Sequence, residues 1–201
     1  MTEELLHLAR SAPKERADAT RNRTRVLDAA ARLFAEHGTD AVTVDAVAQA
    51  AGVGKGTVFR RFGDKSGLVA ALLDEREREL QREVLSGDPP LGPGAPAPQR
   101  AVAFLDAYVS YLTDQLELIR LSETASPGAR YRIGSYRFWH RHLAILCEDT
   151  ADPDHLAHLL LAAVDADLNT ALRAEGYDWS RIRAGVRDLA CRVLDETSSS
   201  P

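Results

Sequence analysis

The stretch Thr43–Lys65, TVDAVAQAAGVGKGTVFRRFGDK, constrains the fold of this 201-residue chain more tightly than any other. Thr43 is placed to cap a short helix, and Asp45 in the first turn suits its positive end. Val44, Val47, Ala48 and Ala51 recur at helical spacing, so that helix has one apolar face. Gly52 falls where the helix must stop and the backbone must turn left-handed. A second helix is expected from about Gly54 or Lys55, giving helix, glycine turn, helix. At about 100° per residue, Val58 and Phe62 share its inner side. Gly56 and Arg60 lie opposite, flanked by Thr57 and Phe59, with Arg61 at the edge. A helix this short must be held by its neighbours. An outer face with arginine, and with no large apolar group but Phe59, is the composition expected of a helix that enters the DNA major groove.

Gly-Val-Gly-Lys-Gly-Thr within this stretch is not a phosphate-binding loop. That motif needs Ser or Thr directly after the lysine and a glycine five positions before it. Gly56 and Ala50 occupy those places, and no apolar strand precedes them.

These residues resemble the DNA-binding domain of the tetracycline-repressor (TetR) family. The resemblance is carried by Thr43-Val44, Ala50-Ala51-Gly52-Val53, Gly56-Thr57-Val58-Phe59-Arg60-Arg61-Phe62 and Lys65, and it covers Thr20 to about Leu72. It implies an all-α protein of about nine helices, with an N-terminal helix-turn-helix domain and a C-terminal helical domain for ligand binding and dimerisation. It also implies a regulator, a repressor released from a palindromic double-stranded DNA operator by a small-molecule effector. Carried over position by position, Thr43, Lys55 and Lys65 contact phosphates. Thr57, Arg60 and Arg61 lie near base edges or the adjacent backbone, and Gly56 and Phe59 belong to the same surface. Phe59 departs from the family, which often has tyrosine there; phenylalanine has no hydroxyl to offer a phosphate.

Charge is distributed to match. The chain carries a net −5, yet residues 20–65 hold eight cations against five anions, leaving this segment at +3 and the remainder at −8. A basic head on an acidic body suits a protein that touches phosphates at one end.

The expected organisation is a flexible extension over residues 1–19, the helix-turn-helix domain over 20–66, the second domain over 67–196 and a tail over 197–201. Pro13 is expected to interrupt any helix in the extension. Arg16, Arg21, Arg23 and Arg25 could form an arm along a DNA groove or simply a solvated helix face. A first strong helix from about Thr20 to His37 has the stripe Val26, Ala29, Ala30, Leu33 and Phe34, with Gly38 ending it. Asp64 or Ser66 caps the next helix, which runs to about Leu85. The Pro- and Gly-rich run 86–98 cannot continue a helix and reads as a loop longer than the family's usual connection.

Four more helices follow in expectation: 99–123, 130–149, one capped by Asp152 or Asp154 and running unbroken to about Glu175, and one capped by Ser180. Apolar faces this broad at the C-terminus suit a homodimer with a four-helix interface. Candidate pocket residues are Phe104, Tyr108, Tyr136, Trp139, His140, Asp165 and Asn169. The aromatics could equally be ordinary core, and Asp165 could pair with an arginine across a dimer interface.

Cys147 and Cys191 are too few for a disulfide framework and read as small buried side chains. No signal-peptide pattern or membrane-length apolar run is visible, so the cytoplasm is expected and no membrane partner. His155 and His158, with His140, His142, Asp152 and Asp154, lack a recognised metal motif, so neither metal nor cofactor is expected. Without a nucleophile elbow, paired acids or a dinucleotide motif the chain is not read as an enzyme. The rival reading is a helical dimer acting as a protein-interaction or non-DNA ligand-binding module.

Overall fold

The structure is a computed structural model. It describes residues 2–195, with side-chain surroundings for residues 18–194. Every regular element among them is a helix: α1 (Thr2–Ala41), α2 (Val44–Ala51), α3 (Lys55–Phe62), α4 (Lys65–Ser86), α5 (Ala97–Glu123), α6 (Ala129–Arg132), α7 (Gly134–Leu146), α8 (Pro153–Ala162), α9 (Ala166–Ala174) and α10 (Trp179–Asp195). Among the described residues no helix is long and apolar enough to cross a membrane. The chain divides into two compact units within α4, residues 1–72 and 73–201.

In the first unit α1 packs on α2, and α2 on α3. Val26, Ala29, Ala30 and Phe34 of α1 are buried with Val47, Ala48, Ala51, Val58, Leu68 and Val69. The helix begins at Thr2 and not near Thr20, and Pro13 lies within it. The Leu, Ala, Arg, Lys and Glu residues around Pro13 have strong helix propensity. Gly38 breaks the helical backbone where expected (φ 75°, ψ 163°). Asp64, not Ser66, caps α4, its Oδ1 accepting from the Gly67 N–H at 2.9 Å. A Cβ on Gly67 would fall 1.7 Å from the Phe62 carbonyl oxygen, so the joint between α3 and α4 closes only around glycine.

In the second unit α5 is the central element, with α6, α7, α9 and α10 against it and α8 against α7. Phe104, Leu105, Tyr108, Leu112, Trp139, Leu143, Leu160 and Leu161 are its buried centre. Phe104 and Trp139 meet with ring centroids 5.4 Å apart, and Tyr108 stands edge-on to Trp139 at 6.2 Å. Cys147 is buried and Cys191 half-buried, both as free thiols.

Three boundaries differ from expectation. The segment expected as one helix from Asp152 to Glu175 is broken. Asp152 does cap α8, but Asp165 caps a separate α9, accepting from the Leu168 N–H at 2.8 Å. Asn169, fully buried, fixes the break by donating to the carbonyls of Ala163 and Asp165 (3.2 and 2.7 Å). The 130–149 helix is also two pieces, with extended Ile133 between a single turn and α7. Asp178, not Ser180, caps α10, accepting from the Arg181 N–H and the Ser180 hydroxyl at 2.7 Å each. The two splits raise the helix count to ten among the described residues. The tail at 197–201 falls outside the described residues.

Candidate nucleic-acid interface

The α2–α3 pair forms as its residues dictate. The Thr43 side chain accepts from the Ala46 N–H at 3.2 Å, and Gly52 takes the left-handed conformation (φ 62°, ψ 40°) that ends α2. Its Cα faces the Arg25 guanidinium so closely that a Cβ would lie 2.7 Å from the Arg25 side chain. Glycine is needed here for the left-handed backbone, since the Arg25 guanidinium, at the end of a flexible side chain, could swing aside. In α3 Val58 is buried and Phe62 half-buried, whereas Gly56, Phe59, Arg60 and Arg61 are exposed and Thr57 is half-buried. The inner and outer faces inferred from spacing are therefore those of the folded helix.

The cations have different surroundings. Lys55 Nζ lies 2.6 Å from Asp45 Oδ2, joining the first turns of α3 and α2, and sits 5.5 Å from the Phe59 ring centroid. Arg61 donates to the Ala19 carbonyl at 2.8 Å, tying the last turn of α3 to α1. Arg60 has no side-chain hydrogen bond or ion pair among the described residues, although it lines a groove with Asp18, Asn22, Thr57 and Arg61. Lys65, half-buried, begins α4. A Cβ on Gly56 would meet nothing within 4 Å, so the chain's own packing does not call for glycine there. Sequence reasoning missed the Lys55–Asp45 pair and the Arg61 tie, because spacing orders residues on one helix and says nothing of which neighbouring helix a long side chain reaches.

The candidate pocket residues of the second unit fall into two groups. Phe104, Tyr108, Trp139 and Asn169 are fully packed. Tyr136 is buried as well, whereas His140 and Asp165 are half-buried around α7, α8 and α9; the Tyr136 hydroxyl and His158 Nδ1 are hydrogen-bonded at 2.7 Å. Asp165 finds its arginine within the chain: Arg130, buried, lies 3.4 Å from Asp165 Oδ2, pairs with buried Glu123 and donates to the Leu161 carbonyl at 2.8 Å. A second carboxylate, half-buried Glu77 of α4, accepts from Ser135 at 3.0 Å and Tyr111 at 3.4 Å. Burial pushes the Glu77 carboxyl above the usual carboxylate range, against the two hydrogen bonds that lower it. His142, buried against the Phe104 ring at 5.2 Å, is lowered by burial to about 4, and Arg100 adds to the effect.

Residues 26–72 match the family model described as "Bacterial regulatory proteins, tetR family". The chain is 34% identical over 108 residues to the uncharacterized HTH-type transcriptional regulator TtgW of Pseudomonas putida, covering 54% of this chain and 78% of that protein. It is 43% identical over 56 residues to the HTH-type transcriptional repressor AcnR of Corynebacterium glutamicum, covering 28% of this chain and 30% of AcnR. The match thus spans less than a third of AcnR. Among solved structures, the transcriptional regulator FadR from Bacillus subtilis, in complex with stearoyl-CoA, is similar with a TM-score of 0.60 and 17% identity, covering 83% of this chain and 96% of that one.

Proposed function

The chain belongs to the TetR family of bacterial transcriptional regulators, and from that premise we propose that it is a repressor that leaves a two-fold DNA site when a small molecule binds its second unit. One observation carries the DNA-binding part. Helix α3 buries Val58 inward and presents outward an arginine, Arg60, with no side-chain hydrogen bond or ion pair among the described residues, beside a glycine that no internal packing requires. A surface with a free cation and room for close approach is what a groove-reading helix needs. Lys55 and Lys65 contact phosphate, Thr43 does so from the start of α2, and Thr57 and Arg60 face base edges. Arg61 acts at the backbone side and Phe59 packs against sugar or a thymine methyl group.

The protein acts as a homodimer in this reading. Leu159 of α8, Leu168 of α9 and Leu189 of α10 are exposed apolar side chains that a second copy would cover. Two copies supply two recognition helices for a two-fold site. The ligand response is supported by the family and by the stearoyl-CoA in the B. subtilis FadR structure. It operates as a population shift, the ligand preferring the conformer that does not fit DNA. The residues 1–19 extension and the 86–98 loop have no assigned part in it.

The deciding experiment is binding of the full chain to duplexes from its own upstream region, followed by fluorescence anisotropy across a salt series. Specific binding to a palindrome, weakening steeply with salt, is expected. Salt-independent or absent binding, or a stable monomer at micromolar concentration by sedimentation, would overturn the reading.

A further inference from the structure

On the surface of the second unit α6, α7 and α8 enclose an open cleft of about 640 Å³, within the size range of small-molecule sites. Arg137 and Arg141 line it one helical turn apart on α7. Neither side chain has a hydrogen-bond or ion-pair partner among the described residues. Like charges at this spacing disfavour an isolated helix. Such a pair standing alone is notable in a chain whose residues outside 20–65 sum to −8. The rest of the lining is aromatic, with Tyr131 and His158 exposed and Tyr136 buried behind them. Tyr131, 61% exposed, meets Tyr136 edge-on at 5.1 Å. Tyr136 stacks on His158 at 5.9 Å and 21°, and His158 lies 4.0 Å from the His140 ring.

This lining is held from behind. The Tyr136 hydroxyl is bonded to His158 Nδ1 at 2.7 Å, and His140 Nε2 donates to the Asp154 carbonyl at 3.0 Å. Arg130 underlies Tyr136, its guanidinium 5.3 Å from the ring centroid, but it is already paired with two carboxylates, Glu123 and Asp165. The uncompensated positive charge of the cleft therefore belongs to the two α7 arginines. No group of three or more His, Cys, Asp or Glu among the described residues is arranged for a metal, which leaves the two histidines as ring surface.

We propose that this cleft binds a small planar organic acid, its carboxylate on Arg137 and Arg141 and its ring against the exposed Tyr131 and His158. Guanidinium recognises carboxylate by paired hydrogen bonds, and flat rings stack on tyrosine and imidazole faces. An aliphatic acid would satisfy the arginines and leave the aromatic lining unmatched. The proposal deepens the ligand-responsive reading and rests on it for its biological role, though not for the binding itself.

The test is a titration of the full chain, labelled with ¹³C-histidine, with 2-naphthoate at pH 8. Saturable shifts of the His140 and His158 ring resonances are expected. Arg137→Ala/Arg141→Ala, both positions being exposed, should keep its melting temperature and lose at least tenfold in affinity. The uncharged 2-naphthalenemethanol should bind at least tenfold more weakly, as should inorganic phosphate. Absence of saturable shifts, equal binding by the double variant, or equal binding of the alcohol or of phosphate would each overturn the proposal. A parallel DNA-release assay separates the two readings. Naphthoate that binds the cleft without changing DNA affinity counts against the effector response alone. DNA release by some other compound, with no naphthoate binding, counts against the cleft alone.

Discussion

Asp45 Oδ2 and Lys55 Nζ are 2.6 Å apart across the helix-turn-helix, so the lysine assigned to a phosphate already has an anion beside it. Both side chains are more than half exposed, and such a pair adds at most about 1 kcal/mol to stability. Its larger effect is on binding, since Asp45 competes with phosphate for the same ammonium. Asp45→Asn should therefore tighten binding several-fold on specific and unrelated DNA alike. In a Lys55→Ala background the same change should do much less. Anisotropy titrations of the four proteins check this, and weaker binding by Asp45→Asn alone would mean that the carboxylate positions the lysine instead.

Gly56→Ala separates folding from binding. With nothing within 4 Å of the new methyl group, the helix should gain about 0.5–1 kcal/mol from propensity. If the surface approaches DNA closely, affinity should fall about tenfold, or 1.4 kcal/mol, despite the added stability. Urea denaturation and a DNA titration on one preparation measure both.

Gly67 should behave oppositely. Its Cβ would collide with the Phe62 carbonyl at 1.7 Å, and backbone cannot swing aside as a side chain can. Gly67→Ala should cost about 1–3 kcal/mol, the range for overpacked sites. Chemical denaturation monitored by circular dichroism reads that loss directly.

Arg60 and Arg61 are adjacent but not equivalent. Arg61→Ala removes a bond to the Ala19 carbonyl and should weaken binding evenly on all sequences. Arg60→Ala should change which sequences are preferred. Selection from a randomised duplex library distinguishes them, and an unchanged preference in Arg60→Ala would refute its base-reading role.

Glu77 makes stability depend on pH. Its carboxyl is raised in the folded chain by burial, so between the ordinary value of 4.5 and the raised one the folded state holds a proton that the unfolded state releases. The group's contribution is fully present below 4.5 and is lost as pH rises through the folded value. Glu77→Gln keeps an acceptor for Ser135 and Tyr111 without the half-buried charge. It should melt about 2 °C higher at pH 7, near the shift expected for 1 kcal/mol in a chain this size. The difference should vanish below pH 4.5.

The helix-turn-helix was readable from sequence because its determinants are local: a cap at Thr43, a left-handed glycine at 52 and an i, i+4 apolar pair at Val58 and Phe62. The break before α9 was hidden because Leu156, Leu160, Val164 and Leu168 keep helical spacing straight through it. Asp165 carried the only signal, as a cap residue in mid-pattern. Arg130 and Glu123 were invisible for another reason. Charged residues default to the solvated face, and their burial depends on a tertiary meeting that no short window contains. For the candidate ligand residues, sequence gave aromatic content but not which rings would fill the core and which would reach a surface cleft.

The bonds from Asn169 to two carbonyls and from the Leu168 N–H to Asp165 give the α8–α9 junction a consequence beyond packing. They make it a corner of set angle. A side chain at position 169 unable to span both carbonyls would let the chain run on as one longer rod or bend elsewhere, with almost the same number of helical residues. The heading of everything downstream would change while the helix content stayed constant. The corner is thus a piece of steering encoded in one amide.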